Sequence, residues 1–162
     1  MILMGHHCQM NGSTKLALAE YMRAYKAMPE EPLINLLIAV GYLSHVTSRR
    51  CTDRHKTACR AFAFLFRYAK LRQWSEEVYY NLGRALHQLS LFSLAVPCYE
   101  HVLVVGNSAT PATSSASSSS HAGASPPSTS LKREAAYNLS LIYRLSGAND
   151  MARQLLASYC TF

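Results

Sequence analysis

The chain has 162 residues, 49% of them hydrophobic, enough for one domain with a continuous core and outside the range that predicts disorder throughout. Its net charge of +7 reflects 16 Lys and Arg against 9 Asp and Glu, with clusters at Arg49-Arg50, Arg54-His55-Lys56 and Arg67 to Arg72; this permits nucleic acid or an acidic partner without showing either. The longest apolar run, Leu33 to Val40 broken by Asn35, falls well short of the roughly 20 residues that span a bilayer, and no basic n-region or cleavage site opens the chain, so an intracellular protein with no membrane contact is expected.

Along the chain, apolar residues recur at spacings of three and four, which predicts amphipathic helices. The expected helices are Leu16 to Ala27, Leu33 to His45, Thr57 to Leu71, Glu76 to Leu89, Leu94 to Val104, Lys132 to Leu145 and Met151 to Tyr159. Breakers separate them: Asn11-Gly12, Pro29 with Pro32, Gln73-Trp74-Ser75, and Gly147-Ala148-Asn149. Asn107 to Ser130 differs in kind, being dominated by Ser, Ala, Thr and Pro with no aromatic residue and almost no charge, and is expected to be a disordered loop whose serines are candidate phosphorylation sites.

An internal repeat organises these helices. Tyr79, Leu82, Gly83 and Leu86 on one helix are followed by Ala95 and Tyr99 on the next, and the pattern returns as Leu139, Ser140 and Tyr143 with Ala152 and Leu156. Gly5, Ala17, Tyr21, Ala24 and Pro29 fit the same register near the start. A degenerate unit runs from Pro32 to Ser75, with Tyr42 on its first helix and Ala61, Leu65 and Tyr68 on its second; Ala61 and Ala95 lie 34 residues apart, as do Leu65 and Tyr99. Small residues at these places let antiparallel helices approach closely, and each hairpin leaves an apolar face that a neighbour must cover.

This spacing resembles the tetratricopeptide repeat. The fold expected is therefore all-α, a tetratricopeptide-repeat solenoid of antiparallel hairpins interrupted by the Ser-rich loop. Residues 1–106 hold three hairpins, the first truncated, the second degenerate and the third regular; residues 107–130 are the insertion, and residues 131–162 the last hairpin. About ten extra residues, Ser44 to Arg54, lengthen the second unit. Met1 falls at the fourth position of the first repeat, so the chain reads as the C-terminal piece of a longer array.

The stretches Tyr79 to Leu89 and Ala136 to Tyr143, with the ending Ser158-Tyr159-Cys160-Thr161-Phe162, resemble the C-terminal repeats of the tetratricopeptide subunit of general transcription factor IIIC. Weaker similarity covers Gly5 to Pro32 and Ala61 to Leu71. The resemblance implies a nuclear, non-enzymatic scaffold in a complex that recognises internal promoters of transfer RNA genes and helps recruit TFIIIB for RNA polymerase III. The partners it implies are other TFIIIC subunits and TFIIIB components, with DNA reached indirectly, and no small-molecule substrate.

In such hairpins the family pattern places positions two, five, nine, twelve and thirteen of the first helix in the concave groove. These are Glu77, Tyr80, Arg84, His87 and Gln88 in the third unit, and Glu134, Tyr137, Leu141, Arg144 and Leu145 in the last. Tyr and Arg carry much of the energy of interfaces. The second unit presents Leu33, Leu36, Val40 and Leu43, an apolar stretch that needs covering. Arg49, Arg50, Arg54 and Lys56 form a candidate basic contact for phosphates.

Five scattered cysteines without a CxxC pair read as reduced, mostly buried thiols. His6-His7-Cys8 points in divergent directions on a helix and reads as structural, while Cys51, His55 and Cys59 share one face only if that segment is helical; no metal or other cofactor is expected. No Gly-rich phosphate loop, nucleophile elbow or paired acidic constellation offers a catalytic residue. A generic repeat adaptor or co-chaperone is the competing function. The co-chaperone clamp needs Lys and Asn where this chain has Ile2 and His6.

Overall fold

A computed structural model describes residues 1–49, 51–105 and 131–160. The eight helices among them are α1 (Ile2–Met10), α2 (Thr14–Ala27), α3 (Pro32–Thr47), α4 (Arg54–Leu71), α5 (Glu76–Gln88), α6 (Phe92–Val105), α7 (Lys132–Leu145) and α8 (Asn149–Tyr159). Each odd-numbered helix packs chiefly on its successor, and the hairpins stack in chain order through α2 on α3 and α6 on α7. The fold is an all-α tetratricopeptide-type solenoid. The expected helices are present, and α1, which was not among them, pairs with α2 as a further helix. The Ser-rich loop from Asn107 to Ser130 lies outside the described residues, as do Arg50, Thr161 and Phe162.

Three hairpin turns use the same backbone solution at the same register. Gly12, Ser90 and Gly147 each take a positive φ, of 73°, 60° and 85°. The next amide in each case reaches back five residues, from Ser13 to the Cys8 carbonyl, Leu91 to Leu86 and Ala148 to Tyr143, at 2.8 to 2.9 Å. This left-handed cap satisfies carbonyls that a helix end would otherwise leave without partners. The α3–α4 turn differs. Of the residues that read as an insertion, Ser44 to Thr47 lengthen α3 and Arg54 opens α4, where the Asp53 side chain accepts from the Lys56 amide at 3.1 Å.

No hairpin closes a core of its own. Ala17, Tyr21 and Ala24 of the first hairpin share a cluster with Ile34 and Ile38 of α3. Ala39, Leu43, Ala61, Leu65 and Tyr68 of the second share theirs with Val78 and Ala85 of α5, and Tyr99, Val102 and Leu103 join Ala136, Leu139 and Ile142 of α7. The apolar run in α3 follows from its position, because that helix meets α2, α4 and α5. Asn35, fully buried within it, donates to the carbonyls of Pro29 and Glu31 at 3.0 and 2.9 Å and ties down the preceding turn.

Polar and aromatic contacts lock the stacking. Arg67 pairs with Glu30 at 2.6 Å and lies 5.5 Å from the Tyr25 ring centroid, joining the first two hairpins. Backbones of α4 and α5 approach at few places, and long side chains bridge them. The Tyr68 hydroxyl donates to Glu77 at 2.8 Å and accepts from Asn81 at 3.2 Å, while Arg72 holds the other Glu77 oxygen at 2.7 Å. The Leu131 amide donates to Glu76 at 3.0 Å, and the Tyr143 hydroxyl to Glu100 at 3.2 Å, fixing the last hairpin.

The cysteines need a correction. Cys59 is exposed and Cys8, Cys51, Cys98 and Cys160 are half-buried, all five as free thiols, because Cys8, Cys98 and Cys160 pack against core clusters without entering them and Cys51 lies in the turn before α4. Burial pushes the Cys98 thiol above its ordinary value. Cys51 precedes α4, so Cys51, His55 and Cys59 do not share one helix face. Among the described residues no helix is long and apolar enough to cross a membrane, and no three His, Cys, Asp or Glu side chains gather.

Candidate partner groove

The stacking brings the first helices of three successive hairpins around one recess of about 490 Å³. From α3 it receives Leu36, Val40, Leu43 and Ser44; from α5, Asn81, Arg84, Ala85, His87 and Gln88; from α7, Asn138; Leu65 and Tyr99 reach it from the second helices. One wall is therefore aliphatic and the other rich in hydrogen-bond donors. Val40 is 37% exposed, a branched aliphatic side chain presented to the recess rather than sealed in the core.

Arg84 is exposed, its guanidinium 5.9 Å from the Tyr80 ring centroid. Such a cation–π contact fixes the direction of the side chain for about 0.5–1 kcal/mol and leaves its forked donors open. Among the described residues Arg84 makes no ion pair. His87 meets Phe92 and Tyr99 edge-on at 5.6 and 6.2 Å, with its Nδ1 3.5 Å from the Tyr99 hydroxyl. Burial lowers the His87 pKa below its ordinary value, because a desolvated ring disfavours the charged form. Burial likewise raises Tyr99, which keeps its proton.

Of the residues assigned to the groove, Arg84, His87 and Gln88 line this recess together. Tyr80 stands behind Arg84, half-buried, 6.2 Å from the Tyr99 ring and accepting from Asn138 at 3.4 Å. Glu77 is occupied by Tyr68 and Arg72 at the junction between hairpins. Burial works to raise its pKa, but hydrogen bonds from Arg72 and Tyr68 outweigh it and hold the carboxyl below the usual range. Glu134, Tyr137 and Arg144 are exposed on α7 and Leu141 is half-buried, all outside the recess lining. Leu33 also lies outside it, 50% exposed.

Asn81 and Asn138 line the recess without having been singled out from the sequence. The signal was present in the register, since each stands two residues before the small residue of its repeat, Gly83 or Ser140. Each donates to a tyrosine hydroxyl of the preceding unit, Tyr68 or Tyr80. The candidate basic contact lies elsewhere: Arg49, Arg54 and Lys56 are exposed at the α3–α4 turn, and Arg50 is outside the described residues. His6, at the position where a co-chaperone clamp needs Asn, is 3.2 Å from the Tyr21 hydroxyl.

No protein-family model matches the chain. It is 36% identical over 160 residues, 99% of its length, to "General transcription factor 3C polypeptide 3" of Homo sapiens. "Transcription factor tau subunit sfc4" of Schizosaccharomyces pombe is 34% identical over all of the chain, and "Transcription factor tau 131 kDa subunit" of Saccharomyces cerevisiae 29% over 88% of it. The chain is homologous to one segment of a transcription factor IIIC subunit. It spans 17%, 16% and 13% of the lengths of these three transcription factor IIIC relatives. Among solved structures, "Crystal structure of MamA" aligns over 96% of the chain and 92% of its own with a TM-score of 0.43 and 16% identity.

Proposed function

We propose that this chain is a non-enzymatic scaffold segment of the transcription factor IIIC complex, acting in the nucleus during initiation by RNA polymerase III. The similarity at 36% identity to a transcription factor IIIC subunit, over 99% of the chain, is the observation that carries the reading. The solenoid with an open concave recess is the kind of frame that holds partner segments. On this reading the other TFIIIC subunits are the direct partners, TFIIIB components are a further set, and DNA is reached through the complex. The regular third hairpin carries the groove at Arg84, His87 and Gln88, with Tyr80 supporting Arg84 from behind. Glu134, Tyr137, Leu141 and Arg144 extend the partner surface along α7, and Glu77 contributes by fixing α5 against α4.

Affinity purification of the tagged chain from nuclear extract, read by mass spectrometry, tests this. Recovery of TFIIIC subunits is expected. Recovery of chaperones alone, with no TFIIIC subunit, overturns the assignment and favours the co-chaperone alternative.

A second reading concerns the exposed basic turn. Arg54, His55 and Lys56 occupy the first turn of α4, where the helix dipole already makes the potential positive and an acidic residue would be preferred. Arg49 adds to the same end, so this turn is suited to phosphates without base recognition. A gel shift with duplex DNA that weakens steeply with salt supports it. No shift at low salt excludes it.

A further inference from the structure

We propose that the recess between α3, α5 and α7 accepts a short acidic and apolar segment of a partner protein, with a carboxylate held by Arg84 and an adjoining aliphatic or aromatic side chain seated against Leu36, Val40 and Leu43. The inference rests on the groove reading above and adds the chemistry of what fills it.

Charge complementarity decides the occupant. The only charged side chain lining the recess among the described residues is Arg84. The two carboxylates of α5 are engaged elsewhere: Glu77 with Tyr68 and Arg72, and Glu76 with the Leu131 amide. Arg84 is instead steered by the Tyr80 face, and Tyr80 is held by Asn138, so the guanidinium is aimed before any ligand arrives. A fork oriented this way matches a carboxylate through two parallel hydrogen bonds. Gln88 beside it supplies further donors, and burial disfavours a competing charge on His87.

The opposite wall selects for apolar content. Leu36, Val40 and Leu43 stand on one side of α3, and Val40 in particular gains by being covered. A purely polyanionic ligand would satisfy Arg84 and leave this wall wet, whereas a purely apolar one would cover Arg84 without a counter-charge, which is unfavourable. A segment that alternates acidic and apolar residues meets both requirements. The net charge of +7 favours approach by such a segment.

A display library of random 12-residue peptides, selected on the full chain, tests the proposal. Enriched peptides are expected to pair Asp or Glu with Leu, Ile, Met or Phe. Arg84→Gln should weaken them about 10- to 100-fold, the loss of one charge-assisted bidentate contact. Arg84→Glu should abolish binding, and replacing the peptide carboxylate by Lys should restore it on that variant alone. Circular dichroism confirms that both variants remain helical, as expected for an exposed side chain. Peptides that depend on Val40 (lost on Val40→Asp) but show no acidic preference would sink the charge assignment and leave the groove reading intact. Peptides indifferent to both Val40→Asp and Arg84→Glu would sink the groove reading with it. Displacement of the selected peptides by a short oligonucleotide with unchanged binding to Val40→Asp would overturn the proposal in favour of phosphate.

Discussion

A Cβ placed on Gly83 would stand 2.9 Å from Cε1 and 3.0 Å from Cδ1 of Tyr99, a ring that is fully buried. Gly83→Ala would gain about 1 kcal/mol in helix propensity but incur an overpacking cost of about 1–3 kcal/mol. The clash should win, and urea unfolding should show a net loss of up to about 2 kcal/mol. Gln73 lies at the other extreme. It adopts φ 51° beside Trp74 at φ 53°, a left-handed pair without a glycine in the α4–α5 turn. Gln73→Gly removes a strain of about 1–2 kcal/mol and adds back chain entropy of about 0.5–1 kcal/mol, so thermal unfolding should show a small gain in stability. Sequence reading marked Gln73-Trp74-Ser75 as a break, but its strain is visible only in the backbone.

At the scale of elements, the α4–α5 junction depends on one polar knot rather than on close backbones. Tyr68 is buried, and desolvation with its hydrogen bond to Glu77 pushes its pKa up to about 12. The unfolded chain releases that proton near pH 10, so the contribution of Tyr68 is intact below pH 10 and is lost as pH rises toward 12. Glu77 has the opposite sign. Its lowered pKa supplies stability above about pH 4.5 that disappears as acid titrates the folded carboxyl. Tyr68→Phe should therefore cost about 1–2 kcal/mol at neutral pH and flatten the loss of stability between pH 10 and 12, measured by urea titration of both proteins. An alkaline limb unchanged by the substitution would place the titrating group elsewhere.

Across the whole molecule, cores shared between neighbours make stability a sum of local couplings. Ile38, fully buried in α3, belongs to the cluster that joins it to the first hairpin. Ile38→Ala should cost about 2–5 kcal/mol there. Hydrogen exchange should show lost protection over Ile2–Met10 and Thr14–Ala27, while the α6 and α7 amides retain theirs. Equal loss along the entire chain would mean a single cooperative unit. The recess is itself a product of this stacking, since its lining comes from three hairpins and no one hairpin contains it.

The sequence by itself determined seven of the eight described helices, the repeat register and the small residues where helices approach, because these depend on local periodicity and on short fixed offsets; that Tyr21 packs on Gly5 and Tyr99 on Gly83 came from the structure. It also carried the likeness to a transcription factor IIIC subunit through its Tyr79 to Leu89 and Ala136 to Tyr143 stretches. Tertiary structure alone decided which groove positions work together. Family register treats Glu77 and Arg84 alike, yet Glu77 is drawn to Tyr68 and Arg72 across the junction, while Arg84 faces a recess without a counter-ion among the described residues. The difference lies in what neighbouring hairpins bring alongside each residue, and that follows from stacking geometry rather than from position within a repeat.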